Sequence, residues 1–374
     1  MIHTYSSTIR RKEMEAVLTC MVDEKIGPGE LNERLIQTVK ETTGCDGAVA
    51  LRSPSLALEY ALKACDIAKD SGIMISALAP SWVIHAVEKY GCKPIVLDVA
   101  EDTGNITVEK AEEGIKNGGR VLVLSETMGI LPDIKAFLAL GIPVIEEISQ
   151  SALSYYPLDE NEEDVKKVMA KRAANPPKEG EEYPELKGKR AGMYGTYAIM
   201  GMEDHDIITS GGGAVLLAPS RREWIVLKHL VDEAPSTDIL CDMNCALAYV
   251  EIKEFNRNEQ TRRELFNAYS RAIMSGRHKT FVRASDDGST IYSFPLVLNS
   301  GFKDAKSYAQ RKEIEIRPAF ENSVIALRQE ALRENCICAN SLLLRTAMFP
   351  LYPRLGQKDV AKIIKDLPKE EIVD

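Results

Sequence analysis

The chain contains no run of about eighteen consecutive apolar residues, so nothing in it reads as a membrane-spanning helix. It has no surplus of positive charge either. Lys+Arg 47 against Asp+Glu 56 leave a formal net charge of −9, which argues against broad binding to nucleic acid or to an anionic membrane surface. Residues 1–12 lack the apolar core of a secretory leader, and the eight cysteines lack regular short spacing. Both absences fit a reducing, cytoplasmic setting in which thiols serve as small core side chains. There is no nucleophile elbow to support Ser-His-Asp hydrolysis. No lysine lies between Lys189 and Lys228, which removes primary-amine chemistry from that whole stretch.

What is present is an ordinary globular composition, 45% hydrophobic and 28% charged, on a chain of 374 residues long enough for two domains. Apolar positions at helical spacing over 9–24 and 30–43 precede the short apolar run 47–51. Helix-like segments 55–64, 82–90 and 134–140 then alternate with strand-like runs at 73–75, 94–98, 121–124 and 143–146. Short, continuously apolar strands between helices predict a parallel sheet covered on both faces, an α/β architecture. The charged, proline-bearing segment of about 158–190 interrupts the alternation and reads as a solvated loop or short helix, with a lid or partner-binding role as the other reading. A long helical pattern over 244–273, a strand-like 289–298 and a closing helix over 357–367 predict a smaller α+β domain. The expected division is 1–238 and 239–374.

Five segments, in order along the chain, carry a resemblance. They are Lys25-Ile26-Gly27-Pro28-Gly29-Glu30, Gly91-Cys92-Lys93-Pro94-Ile95-Val96-Leu97-Asp98-Val99, Pro143-Val144-Ile145-Glu146-Glu147-Ile148-Ser149-Gln150-Ser151-Ala152, the block from Ile199 to Val215, and Phe349-Pro350-Leu351-Tyr352-Pro353-Arg354-Leu355. Together they resemble the sugar-modifying aminotransferases of the DegT/DnrJ/EryC1/StrS family. The resemblance implies the type I pyridoxal phosphate (PLP) transferase fold: a large domain with a mostly parallel, seven-stranded-type sheet, a smaller C-terminal α+β domain, and a homodimer. It also implies a small-molecule ligand of the nucleotide-sugar class, with PLP or its amine form PMP as cofactor.

The family's Schiff-base lysine falls at His205, and imidazole moves protons but forms no stable imine. The family's phosphate-binding turn becomes Ser53-Pro54-Ser55, which keeps two hydroxyls but loses an amide donor at Pro54. A second phosphate-binding serine becomes Met200, and the ring-stacking aromatic falls at Pro80, with Trp82 two residues on. The carboxylate that pairs with the pyridine nitrogen falls at Glu147, and Gln150, which the resemblance places on the ring hydroxyl, is retained. Arg317 matches a strand that faces the substrate.

Two readings of the site stay open. In the first, His205 is the base of a 3-dehydratase-like enzyme acting on a keto-sugar, with PLP or PMP held noncovalently and acidic neighbours Glu203, Asp204 and Asp206 around the imidazole. In the second, the chain is a cofactor-free pseudoenzyme whose pocket binds another small molecule or a protein partner. Gly211-Gly212-Gly213 reads as a tight turn between strands rather than a phosphate loop. Cys241, Cys245, Cys336 and Cys338 read as ordinary thiols, and no metal site is expected.

Overall fold

The computed structural model describes residues 1–174, 186–274, 278–283, 288–299 and 301–367. Its larger sheet has seven strands: β1 Gly47–Leu51, β2 Gly72–Ser76, β3 Lys93–Leu97, β4 Gly119–Ser125, β5 Val144–Glu147, β6 Tyr197–Gly201 and β7 Ala214–Ala218. They lie in the order β1-β7-β6-β5-β4-β2-β3, and only β7 runs against its neighbours. Every residue of β1, β2, β5, β6 and β7 is buried, as continuous apolar runs in a covered parallel sheet require. The expected mostly parallel α/β sheet is the one observed.

Helices α1 Arg11–Val22, α2 Glu30–Thr43, α3 Pro54–Ala64, α4 Ser81–Tyr90, α5 Val108–Lys116, α6 Ile134–Leu138, α7 Glu163–Ala174, α8 Arg221–Asp232 and α9 Asp242–Ile273 accompany this sheet. Local chemistry sets several of their ends. The Ser53 hydroxyl accepts the Leu56 N–H and Pro54 takes the first helical position of α3, a standard N-terminal arrangement. Gly44 and Gly91 close α2 and α4 in the left-handed region. Apolar side chains on the two faces of the sheet form separate clusters, one under α2 and α9 and the other under α3 and α4.

Strands β8 Phe294–Val297, β9 Arg317–Pro318 and β10 Thr346–Phe349 form a second, antiparallel sheet in the order β8-β10-β9. Helices α10 Phe302–Arg311, α11 Val324–Leu327, α12 Gln329–Leu332, α13 Ile337–Arg345 and α14 Gln357–Asp366 accompany it. The N-terminus joins this part of the molecule: the Ile2 N–H donates to Glu313 and Ile2 accepts from Glu315, both at 2.8 Å.

One departure from the sequence reading has a local cause. The strand expected over 289–298 is only four residues long, because Thr290 and Ile291 turn aside to bond Ser154, Ala152 and Glu259. The start of the charged insert folds as α7, in keeping with the solvated loop or short helix expected there. Residues 175–185, which carry its proline pair, lie outside the described residues. Helices α5 and α8 received no assignment from periodicity. No helix among the described residues is long and apolar enough to cross a membrane.

Candidate functional site

Six parallel strands end on one edge of the large sheet, at Leu51, Ser76, Leu97, Ser125, Glu147 and Gly201. In open α/β sheets, ligands bind beyond that edge. A cleft of about 280 Å³ lies there, bounded by the residues after β5, the loop after β6, the start of α4 and the segment 318–323. The two sides are laced together by backbone. Ser81 N–H donates to Asn322 O and Val324 N–H to Ala79 O, with Pro80 bridged to Ser323.

The β6–β7 turn brings His205 to the cleft. Gly211, Gly212 and Gly213 all have positive φ (70°, 137° and 103°), so the turn is one that side-chain-bearing residues strain to adopt. Met202 and Gly213 pair across it. His205 is exposed, with Nε2 3.5 Å from the Asp204 carboxylate. Its imidazole lies flat against the Tyr5 ring, at 4.2 Å between centroids and 14° between planes. Tyr5 belongs to an N-terminal strap clipped on both sides: Thr4 bonds Glu315 through its N–H and hydroxyl, and the Thr8 hydroxyl donates to Glu251 at 2.5 Å. The strap divides the cleft from a smaller space of about 40 Å³ beside Arg262 and Tyr352.

The predicted residues are partly brought together. Trp82, Gln150 and His205 line this one cleft, and Pro80 lines it as well. Glu147 is not among the lining residues and is only 2% exposed, yet it is close enough to act electrostatically on Asp206 and Tyr292. Ser53 and Ser55 sit at the start of α3, outside the lining, and the Ser53 hydroxyl is engaged as the helix cap. The Gln150 side-chain carbonyl accepts the Met128 N–H at 2.7 Å. Arg317 stands at the mouth, 2.6 Å from Glu321 and 5.9 Å above the Tyr5 ring.

The electrostatics of the cleft are acidic. Burial, reinforced by Glu147, Glu203 and Asp204, raises the Asp206 carboxyl to about 7, against one backbone N–H from Glu203 that favours the charged form. Burial raises Glu147 as well, with the Ser149 N–H at 3.1 Å offsetting part of the cost. Among the described residues, no lysine or arginine lines the cleft. In the turn that the resemblance assigns to phosphate, the Ser53 hydroxyl is engaged as the helix cap and Pro54 offers no N–H, so fewer donors face a phosphate there. With no lysine or arginine lining the cleft among the described residues, these side chains fit a phosphate-bearing cofactor poorly.

Tyr5, Tyr292 and Phe320 also line the cleft, and sequence reading had singled out none of them. Tyr292 lies in the strand-like run 289–298 and Phe320 just after the segment matched at Arg317, but nothing in either pattern says that these rings face the cleft. A second carboxyl group was equally hidden. Glu126, just after β4, accepts from Tyr156 Oη at 2.8 Å and from Ser151 Oγ, while Glu146 accepts the N–H groups of Gly192, Tyr194 and Gly195. Burial and the Glu146 carboxylate push Glu126 well above the usual range.

Comparison with known proteins agrees with this fold. The family model for the DegT/DnrJ/EryC1/StrS aminotransferases matches residues 7–161 and 236–368. The stretch between the two matches holds α7, β6, the His205 turn, β7 and α8. The aminotransferase TlmJ from Streptoalloteichus hindustanus superposes with a TM-score of 0.82 at 15% identity, covering 98% of each chain. An aminotransferase from Psychrobacter cryohalolentis gives 0.80 at 16% identity, covering 97% of each chain. A mutant of the GDP-4-keto-6-deoxymannose-3-dehydratase ColD, with bound GDP-perosamine, gives 0.78 at 14% identity, covering 98% of this chain and 100% of that one. Identities this low speak for the fold alone, while the family match spans well over half of the sequence. The chain belongs to the DegT/DnrJ/EryC1/StrS aminotransferase family.

Proposed function

We propose that this chain is a cofactor-free member of its family, in which the strand-edge cleft binds a small molecule other than PLP. The observation that carries this reading is the composition of the cleft. Carboxyl groups of the 203–206 loop and of Glu321 line it, no lysine or arginine does so among the described residues, and the chain's own Tyr5 ring occupies a face of His205. A transaminase needs a primary amine to form and exchange its imine, and the whole stretch from 190 to 227 has none. With neither amine nor phosphate anchor, the residues left can bind, orient and hold protons, with Asp206 and Tyr292 as half-buried proton-bearing groups.

The second reading keeps PLP or PMP noncovalently and uses His205 as the base of a keto-sugar dehydration. It is favoured by one observation, that Gln150 and His205 line a common cleft with Glu147 beneath them. On that reading, the cofactor would supply the electron sink, and His205 would receive the proton. A homodimer belongs to both readings and is supported by the exposed apolar positions Met14, Leu18, Met21, Val22 and Ile26 on and after α1.

Absorbance separates the readings. Purified protein incubated with PLP or PMP and then desalted is expected to keep no band between about 320 and 420 nm, the range of the bound cofactor's conjugated ring. A retained band would overturn the cofactor-free reading. In that case His205→Lys should produce a shifted imine band if residue 205 faces the aldehyde.

A further inference from the structure

We propose that the cleft takes an organic cation: a small molecule with a protonated or quaternary amine set beside a flat or apolar body. This deepens the cofactor-free reading and rests on it. Aromatic faces and carboxylates are the two features that select such ligands, because the negative face of a ring and a carboxylate both attract an ammonium group and neither suits an anion. The rings here are Trp82, Tyr292 and Phe320, while Tyr5, which also lines the space, already carries His205 and Arg317 against its ring. Carboxylates at Glu203, Asp204 and Asp206 line the same space, and Glu321 lies at its mouth already paired with Arg317.

Tyr292 lines both the cleft and the smaller space behind Tyr5, is half-buried, and has a hydroxyl with no hydrogen-bond partner among the described residues. Its oxygen is open to the cleft and available to an N–H or hydroxyl of a ligand. Its shifted titration, with burial first and Tyr5, Asp206, Glu147 and Asp204 after it, keeps the proton on the phenol. A metal ion is the other cation that carboxylates attract. Among the described residues, no group of three His, Cys, Asp or Glu side chains stands close enough to hold one. The volume of about 280 Å³ is at the lower end for small-molecule sites, which limits the ligand to a compact metabolite.

The test uses the full chain with choline and putrescine as cationic probes, and PLP and inorganic phosphate as anionic ones. Binding is followed by calorimetry and by fluorescence of Trp82 at low salt, with Trp82→Phe identifying which tryptophan responds. At least one cation is expected to bind about tenfold or more tighter than either anion, and to weaken several-fold at about 0.3 M salt. The Glu203→Gln/Asp204→Asn double variant changes two exposed side chains, keeps the fold by circular dichroism, and should weaken the cation about tenfold. Tyr292→Phe, which keeps the ring, should weaken it by a smaller factor. No cation binding below about 10 mM, or binding indifferent to the double variant, overturns the proposal while leaving the cofactor-free reading in place. Tight PLP binding with a retained band overturns both.

Discussion

Two neighbouring residues of β5, Glu146 and Glu147, are equally buried at 0% and 2% exposure and yet stand in opposite situations. Strand alternation sends them to opposite faces of the sheet. Glu146 receives three backbone N–H groups from the 192–195 turn, and Glu126 beside it takes two hydroxyls. Glu147 receives one backbone N–H, from Ser149, has the Ser149 and Ser125 hydroxyls beside it, and is close enough to act on Asp206. A buried carboxylate with its donors in place fixes a turn, whereas one short of donors leaves charge for something else to satisfy. One face of the strand thus has a carboxylate held by three backbone amides, and the other has one held by a single backbone amide on the side of the cleft.

The largest effect should fall on the first face. Glu146→Ala strands three amides, one buried and two part-buried, and we expect a loss of about 3–5 kcal/mol in urea unfolding, from unsatisfied donors at about 1–3 kcal/mol each with partial relaxation. Glu147→Gln removes a desolvated charge and should change stability by less than about 1 kcal/mol in either direction. Equal losses for the two would break the comparison. Tyr5→Ala comes next, costing about 2 kcal/mol for the lost burial and ring stack. Because the strap touches only the cleft side, the same variant should lower the Asp206 pKa by relieving its burial and leave Glu126 unchanged, as carboxyl NMR titration would read.

A pH effect follows from the same crowding. The Asp206 carboxyl is raised from 3.8 to about 7, so between those values the folded state holds a proton that the unfolded state has released. The associated stability is fully present below about pH 4 and is lost as pH rises through 7. Since Asp206 is partly open to solvent, the swing should be on the order of 1 kcal/mol, or a few degrees in Tm between pH 5 and 8. Asp206→Asn should flatten that part of the profile.

The large sheet was legible because each strand is a continuous apolar run, and such runs have few other places to go than between two helical layers. Glu147, Gln150, Pro80 and His205 could be aligned with family positions because motif spacing survives when side chains change, with Trp82 two residues beyond Pro80. The substitutions could be read there too, but not what the remaining side chains do instead. Whether the Ser53 hydroxyl caps a helix or faces a ligand is a matter of one rotamer and one donor at 3.2 Å. Tyr5 and Tyr292 reach the cleft over sequence separations of about 200 and 87 residues from His205, and no local pattern encodes contacts of that kind. Loss of the lysine was plain in the sequence, but what stands against the imidazole in its place needed the fold.

The smallest expected effect on stability discriminates most sharply between the two faces' roles. Arg317 and Glu321 form an ion pair whose side chains are 39% and 34% exposed, and such pairs contribute about 0–1 kcal/mol. Arg317→Gln should therefore leave Tm almost unchanged at moderate salt. It also removes the guanidinium 5.9 Å above the Tyr5 ring and releases the Glu321 carboxylate, which lines the cleft, so the local potential becomes more negative. For an ammonium ligand, affinity should then rise by about two- to threefold at low salt, and the gain should fade as salt is added. For an anion seated on Arg317, the same substitution should weaken binding by tenfold or so, since it removes a charged hydrogen-bond donor. The sign of that change, measured on a variant whose fold is undisturbed, tells whether the carboxylates beyond Glu147 serve a cation or merely surround an arginine.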